Sequence, residues 1–178
     1  MKALLIYALL FISCNSNKKT IEKYENGNVK KVIEYLAPNK YLEKIFYETG
    51  EIENLKYFKN GKQDSLEIAY RKDGSKAGQM QFKNGIRNGI TNEFHKNGRI
   101  AFEGKCENGE FEGLSTWYFD NGKINFQGYR HLGKKVGMWY YYNEKGIVIR
   151  KAYYGKNEKP IYYNSNGNIL SVEEWENI

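Results

Sequence analysis

Apolar and polar residues alternate through most of the chain, and glycines interrupt the alternation at fixed intervals. A period of two places successive side chains on opposite faces of a strand. Gly50, Gly74, Gly98, Gly122 and Gly146 recur at one constant spacing. Gly61, Gly85, Gly109 and Gly133 form a second series with the same spacing, set between the first at alternating short and long steps. Gly27 and Gly167 extend the first series with small slips. A fixed period of this kind predicts stacked repeats, here about six hairpin units with degenerate ends.

The residues at the glycines predict the turns. Asn-Gly or Asp-Gly occurs at Asn26-Gly27, Asn60-Gly61, Asp73-Gly74, Asn84-Gly85, Asn97-Gly98 and Asn121-Gly122. Both partners tolerate positive φ, so two-residue primed hairpin turns are expected throughout. Along each outgoing strand the even positions form columns, such as Phe102 and Phe126, or Met80, Gly104, Gly128 and Ala152. A glycine in an otherwise apolar column predicts the close approach of a neighbouring ring. On the return strands Leu42, Leu66, Ile90, Leu114 and Met138 recur on one face, with Tyr70, Phe94, Tyr118 and Tyr142. Trp117, Phe119, Trp139 and Tyr141 fall on the opposite face. The expected fold is therefore all-β: an elongated, twisted antiparallel sheet of consecutive β-hairpin repeats.

Composition agrees with that expectation. Sixteen Tyr and nine Phe favour half-buried strands, and two Pro leave the strands unbroken. The net charge of +7 arises from 28 basic and 21 acidic residues scattered along the chain. No dense Lys/Arg block marks a nucleic-acid-binding surface, and none is expected.

The N-terminus has a different character. Lys2 is followed by the apolar run Ala3 to Ile12 and then Ser13-Cys14. The run is shorter than the roughly 20 residues a spanning helix needs, and it has the order of an export signal. Phe11-Ile12-Ser13-Cys14 resembles a bacterial lipobox, which implies cleavage before Cys14 and lipidation of that residue. The expected organisation is a signal over 1–13, a lipidated Cys14 and polar tether over 14–21, and a repeat domain over 22–178.

Tyr118-Phe119-Asp120-Asn121-Gly122-Lys123-Ile124, Asn108 through Tyr118, and Lys134 through Tyr142 resemble the MORN repeat in its bacterial variant form. The pattern is a turn glycine, about three residues, a second glycine and an aromatic strand. The second glycine stands at Gly89, Gly113 and Gly137, with Ser65 and Pro160 at the corresponding places in other units. The resemblance covers roughly residues 22 to 175 and implies hairpins stacked along one axis. Bacterial relatives carrying the YwqK-type antitoxin label imply a second role, neutralising a specific toxin.

Candidate chemistry is sparse. His95 and His131 stand alone in their segments, with no metal-ligand spacing around them. Cys106 occupies an aromatic column and reads as a small buried hydrophobe. No nucleophile elbow or phosphate loop is present. No catalytic residue, metal or cofactor is therefore expected. If the leucine face supplies the core, Trp117, Phe119, Trp139 and Tyr141 form an exposed strip flanked by Lys123, Arg130, Lys134 and Lys135, suited to a partner protein. The alternative is that sheet twist and neighbouring side chains cover both faces. The expected role is a non-enzymatic envelope lipoprotein that binds an unknown protein, with a toxin as the alternative partner. Membrane attachment is expected through Cys14, and open sheet edges leave self-association available.

Overall fold

The computed structural model describes residues 17–155 and 159–178. The export segment and Cys14 lie outside the described residues. The strands are β1 (Lys18–Lys23), β2 (Val29–Ala37), β3 (Lys40–Phe46), β4 (Ile52–Lys59) and β5 (Lys62–Tyr70). They continue as β6 (Lys76–Lys83), β7 (Ile86–Phe94), β8 (Ile100–Glu107), β9 (Glu110–Phe111) and β10 (Gly113–Tyr118). The last are β11 (Ile124–His131), β12 (Lys134–Tyr142), β13 (Val148–Tyr154), β14 (Ile161–Asn164) and β15 (Ile169–Leu170), followed by the helix α1 (Val172–Glu176). All 15 strands join one antiparallel sheet that is not closed, in which sequence neighbours are spatial neighbours. Strand β8 pairs with both β9 and β10. The fold is the all-β hairpin meander that the alternation and the glycine period predict.

The two glycine series make two different turns, which corrects the expectation of primed turns throughout. In the second series both central residues have positive φ, as at Asn84 (54°) and Gly85 (87°), and this is the primed turn. In the first series only the glycine is positive. Gly74 donates its N–H to Arg71 O at 2.9 Å, and Arg71 donates to Ser75 O across the loop. That is a longer turn closed by a glycine bulge. The Asx side chain serves it by accepting from the backbone two residues on, as Asp73 Oδ1 does from Ser75 N at 2.9 Å. The alternation of short and long steps between glycines includes this alternation of turn type.

Successive units are also clasped along one long edge. The residue that opens each of the first four long turns reaches the last strand carbonyl of the next unit. Tyr24 Oη donates to Phe46 O (2.7 Å), Tyr47 Oη to Tyr70 O (2.8 Å), and Arg71 to Phe94 O. His95 Nε2 occupies the same place 2.9 Å from Tyr118 O, with Nδ1 2.7 Å from the Asp120 carboxylate. His95 is thus part of a repeat-to-repeat clasp.

Among the described residues no second layer covers the sheet. Among the described residues the buried apolar ones are Leu42, Phe102, Cys106, Trp139 and Ala152. Four of these five lie between β8 and β13. They belong to one face, the aromatic face, because Phe102, Gly104 and Cys106 alternate away from Glu103 and Lys105. Cys106 is a free thiol, wholly buried, with its Sγ 3.8 Å from Thr91 Oγ1. Among the described residues no helix is long and apolar enough to cross a membrane.

Candidate functional site

The aromatic face is built around Trp139 on β12, whose side chain is completely buried. Its indole lies flat over Gly128 on β11: a Cβ there would come within 2.3–2.5 Å of the ring. Only the missing side chain lets the ring sit down on the sheet. Trp139 Nε1 donates to Tyr129 O at 3.2 Å, the partner a buried indole needs. Trp117 on β10 stacks on Phe126 of β11, with centroids 4.5 Å apart and planes 13° apart, and sits 4.5 Å from Phe102. Phe126 stacks in turn on Tyr141, and Tyr141 meets the edge of Trp175 in α1 at 5.0 Å. Each such pair contributes about 0.5–1.5 kcal/mol beyond its area.

Three cations lie on this floor. Arg130 Cζ is 5.5 Å from the ring centroids of both Trp117 and Trp139. Lys135 Nζ is 4.4 Å from Trp139 and 5.0 Å from Tyr154. Arg150 Cζ is 4.2 Å from Trp175 and 5.3 Å from Tyr141. Arg130 and Lys135 face each other across β11 and β12, and Arg150 faces Tyr141 across β12 and β13. The row therefore crosses three neighbouring strands. Burial pushes the Tyr141 hydroxyl well above the usual tyrosine range, and its hydrogen bond with Tyr154 adds to the effect.

The structure brings together Trp117, Trp139, Tyr141, Arg130 and Lys135. It does not give the expected exposed strip. Trp139 is core, and Trp117 and Tyr141 are half-buried. In this half the aromatic face is the better packed of the two. The reason is area: rings bury more surface than Leu or Ile, and Gly104 and Gly128 let them pack close. Phe119 is half-buried in the long turn before β11. Lys123 precedes β11 and donates to Lys145 O at the same edge (3.2 Å), whereas Lys134 is exposed at the opposite edge. Arg150 and Trp175 belong to the row, although the sequence reading does not place them there. Arg150 has a legible signal: it holds the fourth position after Gly146, where Phe102 and Phe126 stand after their own glycines.

The reverse face of the same half is open. Ile90 (50%), Leu114 (47%), Tyr129 (59%), Tyr153 (40%) and Ile161 (36%) are all exposed. Leu114 pairs directly with Tyr129, and Tyr153 pairs with both Met138 and Ile161. These residues form one row across the sheet. Between β7 and β10 the row dips into a hollow of about 310 Å³ lined by Ile90, Glu103, Lys105, Leu114 and Thr116. His131 lies at the rim of this half, with Nδ1 3.0 Å from Glu112 Oε1. That contact, with the Leu132 N–H, holds the Glu112 carboxyl below its ordinary range. Among the described residues no three His, Cys, Asp or Glu side chains gather as a metal site would require.

A single-layer antiparallel repeat sheet with one packed and one open face defines the class of this protein. Residues 111–130, from Phe111 through β10 to Arg130, match the MORN repeat variant family. MORN repeats are found in repeat proteins that mediate binding. Among solved structures, the crystal structure of a GtfA/B complex is similar in part: 16% identity, 49% of this chain and 18% of that chain, TM-score 0.36. The chain spans less than a fifth of that one. No curated protein matches the chain.

Proposed function

We propose that this is a non-enzymatic repeat protein that binds another protein through the reverse face of β7 to β14, held at a bacterial envelope membrane by lipidated Cys14. The observation that carries the reading is the exposed row Ile90, Leu114, Tyr129, Tyr153 and Ile161 on a sheet that no second layer covers among the described residues. A row of exposed apolar side chains on neighbouring strands is common where a partner docks. Lys105 and Glu103 of β8 interrupt it between Ile90 and Leu114 and supply polar contacts within the hollow. The antitoxin alternative draws on the family resemblance alone and stands behind this reading.

The test is a photo-crosslinking amino acid placed at Leu114 or at Tyr129 in cells, with Asn97 on an exposed turn as the control position. A discrete adduct from the two face positions, lost in Ile90→Glu, supports the reading. Adducts that are identical at all three positions, or absent, overturn it. Cys14→Ala is expected to move the protein out of the membrane fraction; retention there would refute the anchor.

A further inference from the structure

We propose that the cation row of the aromatic face, Arg130 and Lys135 continuing to Arg150, is a second binding site, and that it takes an acidic peptide segment bearing an aromatic side chain. The row lies on the face opposite the one proposed above and uses none of its residues. Three observations meet here.

The first is charge. Among the described residues no carboxylate lies within 4 Å of Arg130, Lys135 or Arg150, although eight other basic side chains have such a partner. Their hydrogen bonds go to neutral oxygens: Arg130 to Gly133 O (2.6 Å), Arg150 to Trp175 O (2.7 Å), and Lys135 to the hydroxyls of Tyr141 and Tyr154 (3.3 Å each). The Nε atoms of Arg130 and Arg150 are buried with no acceptor. A partly desolvated cation gains most from a carboxylate brought to it.

The second is a seated example. The segment α1 is acidic, with Glu173, Glu174 and Glu176 around Trp175. It places that indole against Tyr141 (5.0 Å) and Tyr162 (4.8 Å), with Arg150 stacked on it at 4.2 Å. One end of the row is thus already covered by a stretch of this chain whose Trp175 ring and carbonyl, not its carboxylates, meet Arg150. The Arg130–Lys135 end likewise has its cations laid over rings, those of Trp117, Trp139 and Tyr154, and among the described residues no acidic segment meets them.

The third is shape. The cations lie down on the rings, half-buried, and do not project as lysines facing a flat lipid surface would. A narrow row across three strands suits a linear ligand.

The probe is a labelled peptide with the sequence of residues 171–178, added to the full chain, beside the same peptide with its three Glu changed to Gln. Saturable binding is expected, at least tenfold weaker for the Gln peptide and at least tenfold weaker for Arg130→Gln/Lys135→Gln. It should also weaken steeply with salt. Leu114→Glu on the reverse face is expected to leave it unchanged. Equal binding of the two peptides overturns the proposal without any change to the protein, so misfolding of the double variant cannot mask the answer. No binding of either peptide overturns it, as does capture by phosphatidylglycerol vesicles through the same cations in place of the peptide.

Discussion

The first and second halves of the sheet fill equivalent positions of the aromatic face in opposite ways. One repeat at a time back from Trp139, its column runs through Ser115, Thr91 and Glu67 to Glu43. The neighbouring column runs from Gly128 back through Gly104 and Met80 to Lys56. Early in the chain the two columns hold an ion pair, Lys56–Glu67 at 3.9 Å, and Glu43 is met by Lys31 of β2 at 3.7 Å. Later they hold an indole over a glycine. The backbone is the same hairpin in both places. Part-exposed ion pairs contribute about 0–1 kcal/mol, whereas a fully buried large apolar side chain contributes about 1.5–3 kcal/mol. The repeat thus fixes the sheet, and the side chains divide it into a polar half that is weakly held and an aromatic half that is firmly held.

The sharpest way to break that comparison is Trp139→Ala. A cost of about 3–5 kcal/mol is expected from denaturant unfolding, the range for emptying a buried aromatic site. Amide exchange should locate the loss in β10 to β13, since repeat units draw stability from their neighbours. Equal loss of protection in β2 to β5 would show that the halves unfold as one unit. Gly128→Ala tests the same packing from below. Its Cβ meets the indole ring at 2.3 Å, so about 1–3 kcal/mol is expected. Gly128→Ala/Trp139→Leu should cost less than the two single changes together, because the smaller side chain relieves the clash.

The fold was legible because its determinants are local. Turn glycines at fixed spacing and alternation between them set the strand order and much of the pairing. Gly104 and Gly128 also announced the rings above them. The choice of buried face was not legible, because both faces of β10 and β12 are rich in apolar residues. The decision rests on cross-strand volume: Trp139 needs Gly128 on a different hairpin arm, and Trp117 needs Phe102 and Phe126 on either side. Arg150 shows the same limit. Its column position is a signal for the aromatic face that the sequence reading did not use, and its contact with Trp175 spans 25 residues and depends on how α1 returns to the sheet.

Within the polar half, backbone strain is a further difference. Ser65 has φ +77°, where the equivalent Gly89, Gly113 and Gly137 have 118°, 82° and 67°. Ser65 is exposed, so little packing is lost on removing its side chain. Relief of the left-handed strain, less the added freedom of the unfolded chain, predicts that Ser65→Gly stabilises by about 0.5–1 kcal/mol. A loss of stability on thermal or denaturant unfolding would mean that the serine side chain holds this bulge in a way the glycine-bearing units do not need.

The smallest effect is expected where the comparison began, at Lys56 and Glu67. Their side chains retain 28% and 15% exposure, and Glu67 also accepts from Gln63 Nε2 at 2.6 Å. A double-mutant cycle with Lys56→Met and Glu67→Gln should give a coupling of no more than about 1 kcal/mol, falling as salt is raised. The separate hydrogen bond to Gln63 survives in Glu67→Gln, so the cycle isolates charge from hydrogen bonding. A coupling well above that bound would place this pair beyond ordinary surface ion pairs. The polar half would then be held by its charge ladder as firmly as the other half is by its rings, and the two halves would differ in chemistry but not in strength.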